Sequence, residues 1–508
     1  MRTRLPMLFL LLITGIASAM EFTVDTEIIL QTGAASPDGN GVFGDAMQPP
    51  ILNNNGQLLI WSRLLATSNP DMIDDFGFYR ADGQQLVTIA RGGQPTPAGP
   101  LLRLDLSVIT AGSPVSNRMY GLAANGDVTF GSRDDSGAWG IFRGAGGPLT
   151  AVVRDGDTTS YGTAISLDGL ISSLELNDAG DLAYLVAATT SDGPNQILHI
   201  LSDDSDDQVV LRGFQPLPDG RTAQGLFLAS TIGLNNAGHN ALIINTNDGP
   251  AGFGVYRNER GNISKLMHSG EPAVDGLGSY IPGVTSIPEL NDQGHALLRL
   301  SVDDVVTDYV GLFFHNGAEL QELRRVGDIT TAGQVISFNG EYLLNDNDTV
   351  AYAARIGDFN RIVLRQNGVE QIIASEGQTL PPPIDLPLFG PFAFTLNDND
   401  QLLFTGFVTA DGANRKALFL YDPQFGLALI ARTGQPFSNG VLADFNLALP
   451  LTTVQSRYRE NAFTGFNDLG QAAFQYQLDS GLLGIALAEV TYVVEAPLFK
   501  DGFEALQP

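Results

Sequence analysis

Residues 176–185 read Leu176-Asn177-Asp178-Ala179-Gly180-Asp181-Leu182-Ala183-Tyr184-Leu185. An apolar residue precedes Asn-x-x-Gly, and a short apolar strand follows. Asn at the first turn position can bond backbone two residues on, and Gly at the fourth supplies the left-handed conformation that ends a type I turn with a G1 bulge. The stretch therefore reads as a hairpin turn. Further copies begin at Leu52, Leu122, Leu234, Leu290, Leu344, Leu396 and Phe466, and successive copies lie 70, 54, 58, 56, 54, 52 and 70 residues apart. That near-constant pitch marks a repeat architecture. Asp348 and Asp400 stand where the other six copies carry Gly, and the copy at Leu122 keeps Gly126 but has Ala123 in place of Asn. Asp tolerates the left-handed region better than most residues. Positive φ is expected at Gly180, Gly238, Gly294 and Gly470, and also at Asp348 and Asp400 under mild strain. Replacing either Asp by Gly is then expected to be neutral or stabilising.

Two more strands travel with each turn. One contains Gly77-Phe78-Tyr79-Arg80, Gly140-Ile141-Phe142-Arg143 and their equivalents. The next ends in a Gly turn, as in LVTIARGGQP from Leu86 or LALIARTGQP from Leu427. A variable fourth strand leads into the following turn. About four short antiparallel strands per repeat, with no convincing helix, is the pattern of a propeller blade. After GIALAEV, from Gly484, the chain lacks the third element, and its counterpart TEIILQTG starts at Thr26. The expectation is an all-β protein: a β-propeller of eight blades, its ring closed by an N-terminal strand, with residues 22–35 pairing within 460–495. The alternatives are an open solenoid or stacked sandwiches, and a solenoid would need caps at both ends. The longer first and seventh spacings read as loop insertions near Asp105–Arg118 and Phe445–Arg459. The expected organisation is a signal peptide over 1–19, one propeller over 20–495 and a tail over 496–508. A monomer is expected.

Arg2 and Arg4, the apolar run Met7 to Ile16, and Ala17-Ser18-Ala19 compose a secretory signal peptide with an A-x-A cleavage site. The apolar run is too short to span a bilayer. Cleavage near Ala19 changes the net charge from −29 to −31, because it removes Arg2 and Arg4. A strongly acidic chain repels polyanions, so nucleic acid is an unsuitable partner. Positive charge is almost all Arg, with Lys265, Lys416 and Lys500 the lysines; this bias points to a bacterium, and so to a secreted, periplasmic or cell-surface location. The absence of Cys excludes disulfides, thiolate metal sites and Cys nucleophiles. The 58 glycines, against a usual ~7% of residues, fit a turn-rich chain.

The pattern Asn467-Asp468-Leu469-Gly470-Gln471-Ala472-Ala473-Phe474 resembles the exported bacterial proteins with tandem NxxGxxAF repeats. The resemblance spans about residues 26–490, and the copy at Leu122 departs from it with Ala123 in place of Asn. It implies surface or secreted location and no particular activity. Leu498-Phe499-Lys500-Asp501-Gly502-Phe503-Glu504 looks like a short tail of other exported proteins and lacks the long apolar segment of a sorting anchor.

No motif for a nucleophile, phosphate cradle or dinucleotide site occurs. His199, His239, His268, His295 and His315 form no i, i+4 pair. His239 and His295 occupy equivalent positions just after the turn Gly, which reads as a turn-flanking role with a shared metal as the alternative. Asp203-Asp204-Ser205-Asp206-Asp207 reads as a solvated loop, and Asn262-Ile263-Ser264 matches a glycosylation sequon. The Asn-Asp-Asn-Asp turns at Asn345 and Asn397 admit calcium, but the EF-hand spacing is absent. No catalytic or cofactor-binding residue is assigned, and no bound cofactor is expected. The expected function is an exported, non-catalytic binding or surface-associated propeller whose ligand, a glycan or protein, is neutral or cationic. The alternative is a secreted hydrolase or lyase, glycan- or ester-directed, with carboxylates at the channel mouth. Polar residues converging from non-equivalent repeat positions would favour the enzyme, and equivalent ones repeated around the ring would favour binding.

Overall fold

A computed structural model describes residues 21–493, apart from 69–73, 105–119, 168–173, 204–206, 225–231, 248–251, 282–287, 305–306 and 449–463. Eight antiparallel sheets succeed one another along the chain, each built around four strands, and the described residues contain no helix. The first complete blade shows the plan. Its inner strand is Val42–Met47 with Ile51–Leu52, and Gln57–Leu65, Phe76–Asp82 and Gln85–Arg91 follow outward. Blades cover one another on both faces, so Gln57–Leu65 is buried continuously from Leu58 to Ser62. A strand buried on both faces is selected for unbroken apolar runs rather than strict alternation.

The ring closes as the displaced strand required. Glu21–Gln31 pairs antiparallel with Leu483–Val493, from Glu21 opposite Val493 to Gln31 opposite Gly484. It forms the outer strand of blade eight, whose other strands are Gly440–Leu447, Ala472–Leu478 and Leu483–Val493. The pairing carries a bulge at Ile29, between the pairs Ile28–Ala486 and Leu30–Ile485. Outer strands elsewhere shift register at the matching place, for example opposite Phe78 and Tyr79 or opposite Leu312 and Phe313. The N-terminal strand is thus a true outer strand, irregularity included. Inner contacts close the same seam: Leu52 N donates to Thr464 O at 2.7 Å, and Gln475 Nε2 donates to Met47 O at 2.8 Å.

The turns behave as their residues dictate. φ is +91° at Gly180, +75° at Gly238, +77° at Gly294 and +76° at Gly470; Asp348 and Asp400 stand at +60° and +59°. The expectation that Gly could replace Asp348 or Asp400 without loss needs correction. Asp400 is buried; its Oδ1 accepts from Asn345 Nδ2 of the preceding blade at 2.7 Å, and its Oδ2 accepts from Gln366 Nε2. Asp348 Oδ1 accepts from Asn291 Nδ2 at 2.9 Å and lies 2.8 Å from His295 Nδ1. Each Asp ties its turn to the previous blade, which Gly cannot do. Asp400→Gly is therefore expected to destabilise by about 2 kcal/mol, because relief of backbone strain is smaller than two lost charge-assisted bonds at a buried site. Urea denaturation of the variant measures it, and an unchanged midpoint would contradict the role of the carboxylate.

The insertions near Asp105–Arg118 and Phe445–Arg459 fall almost wholly outside the described residues, although Phe445 itself belongs to the inner strand of blade eight. The leader over 1–19 and the tail from Leu498 lie outside them as well.

Candidate functional site

The eight turns meet around the axis of the ring. In seven of the eight turns the first residue is a buried Asn that works in two directions. Its Oδ1 accepts from the backbone N–H four residues on, as with Asp181 N at 2.7 Å, His295 N at 2.9 Å and Gln401 N at 2.9 Å. Its Nδ2 donates to the backbone carbonyl of the equivalent residue in the next blade. The bonds run Asn177 to Asn235 at 2.8 Å, Asn235 to Asn291 at 2.6 Å, Asn291 to Asn345 at 3.0 Å and Asn345 to Asn397 at 2.9 Å. They continue from Asn397 to Asn467 at 3.0 Å, Asn467 to Asn53 at 3.0 Å and Asn53 to Ala123 at 2.9 Å. Ala123 is the gap. There the link to blade three is made one residue later, by Ala124 N donating to Asp178 O at 3.1 Å. Only a side chain that both donates and accepts can cap its turn and reach its neighbour, which is why Asn recurs.

The next residue of each turn forms a second circle: Asn54, Ala124, Asp178, Asn236, Asp292, Asp346, Asp398 and Asp468. Its Oδ1 atoms accept the backbone N–H of the preceding blade: Asp178 N to Asn236 at 2.8 Å, Asp292 N to Asp346 at 2.7 Å, Asp398 N to Asp468 at 2.9 Å and Asp468 N to Asn54 at 2.9 Å. Asn54 Nδ2 also donates to Asp468 Oδ2 at 2.6 Å and, across the gap left by Ala124, to Asp178 Oδ2 at 3.3 Å. A cavity of about 50 Å³, lined in part by Asn236, Glu289, Asp346, Thr395 and Asp398, lies behind this circle.

Five carboxylates on one circle repel, and burial adds to the cost of ionising them. Burial first, then the charges of Asp468, Asp292 and Asp398, pushes Asp178 up to about 7. Burial, then Asp468, Asp292 and Asp400, raises Asp398 to about 6. Asp346 is raised by burial and by Asp398 and Asp292. On the inner strand of blade six, burial pushes Glu341 up to about 8, although its Oε2 accepts from Phe394 N of the next blade at 3.1 Å. Groups that titrate near neutrality suit proton transfer. Most of the circle, however, is already engaged in holding one blade to the next.

The histidines do not converge. His199 is fully buried in blade three, and burial holds it well below its ordinary value, at about 3. His268 Nε2 lies 2.8 Å from Thr246 Oγ1. His315 Nδ1 accepts from Gly317 N at 3.1 Å. His239 and His295 both flank turns, as expected, and their backbone N–H groups bond Asn235 and Asn291. Among the described residues, no three His, Asp or Glu side chains gather in a metal-binding arrangement. In the acidic run, Asp203 lies 3.7 Å from Arg260 and Asp207 opens a strand, while residues 204–206 lie outside the described set. Asn262 opens the outer strand of blade four. The axial role of the second turn residue is not required by turn chemistry. The signal for it was the recurrence of Asp at that place in five copies.

Solved structures resemble this chain at low similarity. The Dos1 propeller aligns with 90% of this chain and 95% of its own at 10% identity, TM-score 0.39. A puromycin-hydrolysing peptidase of Mycobacterium tuberculosis aligns with 89% of this chain at 11% identity, TM-score 0.38; this chain spans 62% of the peptidase. An ulvan lyase of polysaccharide lyase family PL25 aligns with 73% of this chain and 93% of its own at 10% identity, TM-score 0.33. Comparison with curated protein sequences gave no match. One family model matches twice, over residues 19–246 and 132–498, and so accounts for nearly every blade. The chain therefore belongs to DUF7453, a family of unknown function.

Proposed function

We propose that this protein is an exported, non-catalytic binding or surface-associated propeller. The observation that carries the reading is the equivalence of the axial polar residues. Asn, Asp and Asn or Asp recur at the same two turn positions and bond the adjoining blade, rather than converging from unlike positions on one reacting centre. The signal-peptide pattern of residues 1–19 and the resemblance to exported NxxGxxAF-repeat proteins support delivery outside the cytoplasm. A net charge near −31 after cleavage favours a neutral or cationic ligand.

A secreted hydrolase or lyase is the second reading, and it draws on Asp178 and Asp398, whose carboxyls titrate near neutrality at the axis. One experiment separates the two. Secreted protein is applied to glycan and peptide arrays and, in parallel, to a hydrolase and lyase panel, with and without EDTA. Array binding without turnover is the expected result. Turnover lost on Asp178→Asn or Asp398→Asn would overturn the binding reading. Binding abolished by EDTA would assign calcium a role.

A further inference from the structure

Blades three, six and seven lack a glycine that the other blades share, and at blade six a pocket opens. In five blades the third strand carries an apolar residue followed by glycine: Phe76-Gly77, Trp139-Gly140, Phe253-Gly254, Val310-Gly311 and Leu483-Gly484. The glycine admits an aromatic ring. A Cβ at Gly77 would lie 2.6 Å from Tyr79 Oη, and one at Gly311 would lie 2.8 Å from the Phe313 ring. Blade six has Asn360-Arg361 at this place, with Val363 where the aromatic would be.

The inner strands on both sides of the pocket are bulged. Gly333–Leu344 shifts register between Phe338 and Tyr342, and Leu388–Leu396 shifts between Phe389 and Phe394. Bulges bend a strand and re-aim its side chains. The space between blades six and seven is about 480 Å³, within the roughly 300–1,000 Å³ of small-molecule sites. Phe389 and Phe407, opposite each other in register, face it while 47% and 38% exposed. Its polar wall is preset: Asn339 Nδ2 donates to Asn360 Oδ1 at 2.5 Å, and Asn360 Nδ2 donates to Glu376 Oε2 at 3.0 Å. Arg361 and Asn414 complete the lining, and neither side chain has a protein hydrogen-bond partner among the described residues.

We propose that this pocket binds a neutral pyranose of a glycan. The proposal deepens the binding reading above and rests on it. A pyranose offers a C–H face that packs on an exposed aromatic ring, and an edge of hydroxyls that both donate and accept. Asn414 supplies both kinds of partner, Arg361 supplies donors and Glu376 an acceptor, and hydrogen bonds to charged groups are the stronger ones. Arg361 and Glu376 offset each other, so the wall selects for hydroxyls rather than for a net charge. An unpaired arginine in so acidic a chain would otherwise be expected to sit on a carboxylate.

The test uses the mature protein on an array of neutral gluco-, galacto- and manno-oligosaccharides, with uronate oligosaccharides and peptides as separate arms. The best neutral probe is then titrated by calorimetry. Phe389→Ala and Asn414→Ala are each expected to weaken it by tenfold or more, the effect of one well-placed contact. Phe389→Tyr keeps the platform and is expected to bind within about threefold of the parent. Asn414 is exposed and unbonded, so its variant reports on binding even if Phe389→Ala folds poorly. Neutral-sugar binding unaffected by Asn414→Ala and by Phe389→Ala alike would overturn this pocket and leave the binding reading standing. Binding only to uronates or peptides, or no binding to any neutral sugar, would also overturn it. Turnover of a sugar whose binding these variants weaken would support the pocket and overturn the non-catalytic reading instead.

Discussion

Deleting Glu21–Gln31 is expected to open the ring at blade eight and to cost several kcal/mol, far more than trimming a frayed terminus. The strand supplies backbone partners along Gly484–Val493. It also buries Leu30 against Phe43, Tyr79 and Ile485, and packs Val24 and Ile28 on the core of blade eight. Gln31 Nε2 donates to Tyr476 Oη at 2.6 Å. One buried leucine contributes about 2 kcal/mol, and each lost hydrogen bond about 1 kcal/mol net. The truncated protein should have a lower urea midpoint and should self-associate through the bared edge. A synthetic peptide of residues 21–34 should restore the midpoint. A truncated protein that melts like the parent would contradict closure by this strand.

The second large effect is a loss of stability as pH rises from about 6.5 to 8. Asp178, Asp398 and Glu341 bind their protons more tightly in the folded ring than in the unfolded chain. Below the ordinary carboxylate range both states are protonated and nothing is lost. As pH rises toward the folded values of about 6 to 8, the folded ring must release protons the unfolded chain has already shed, and stability falls. His199, His239 and His315 act oppositely, since burial lowers each of them. Their cost appears only on acidification below about 6.5, the unfolded histidine value. Between that pH and 8 the carboxyls act alone, for a loss on the order of 2 kcal/mol after solvent screening. Asp178→Asn combined with Asp346→Asn should stabilise at pH 8 and flatten the profile. Asn54 and Asn236 already serve in the same circle, so the amide fits the geometry. A steeper profile, or destabilisation at pH 8, would show that the charges are needed there.

Turn spacing and the displaced TEIILQTG segment made the blade count and the closing strand legible, because each follows from local rules repeated eight times. Asn177 read correctly as a turn former. Its second bond, to Asn235 of the next blade, was hidden because it joins residues 58 apart in sequence. Asp348 and Asp400 misled for the same reason: their φ follows from the turn, but their partners Asn291 and Asn345 come from another blade. The pocket between blades six and seven was equally out of reach. Asn360-Arg361 is visible as a break in the pattern, but Phe389 and Asn414 join it only through the packing of two blades.

The central claim is that the two ends of the chain form one blade. The chain has no cysteine, so a designed pair is free of competitors. Thr23 and Thr491 are register partners, and facing residues of an antiparallel pair have Cα atoms about 4.5–5.5 Å apart, within disulfide range. Thr23→Cys with Thr491→Cys, purified without reductant, should form an intramolecular disulfide, seen as one cross-linked terminal peptide pair in a monomer. Free thiols under oxidising conditions, or cross-linking only between molecules, would contradict the closed eight-bladed ring.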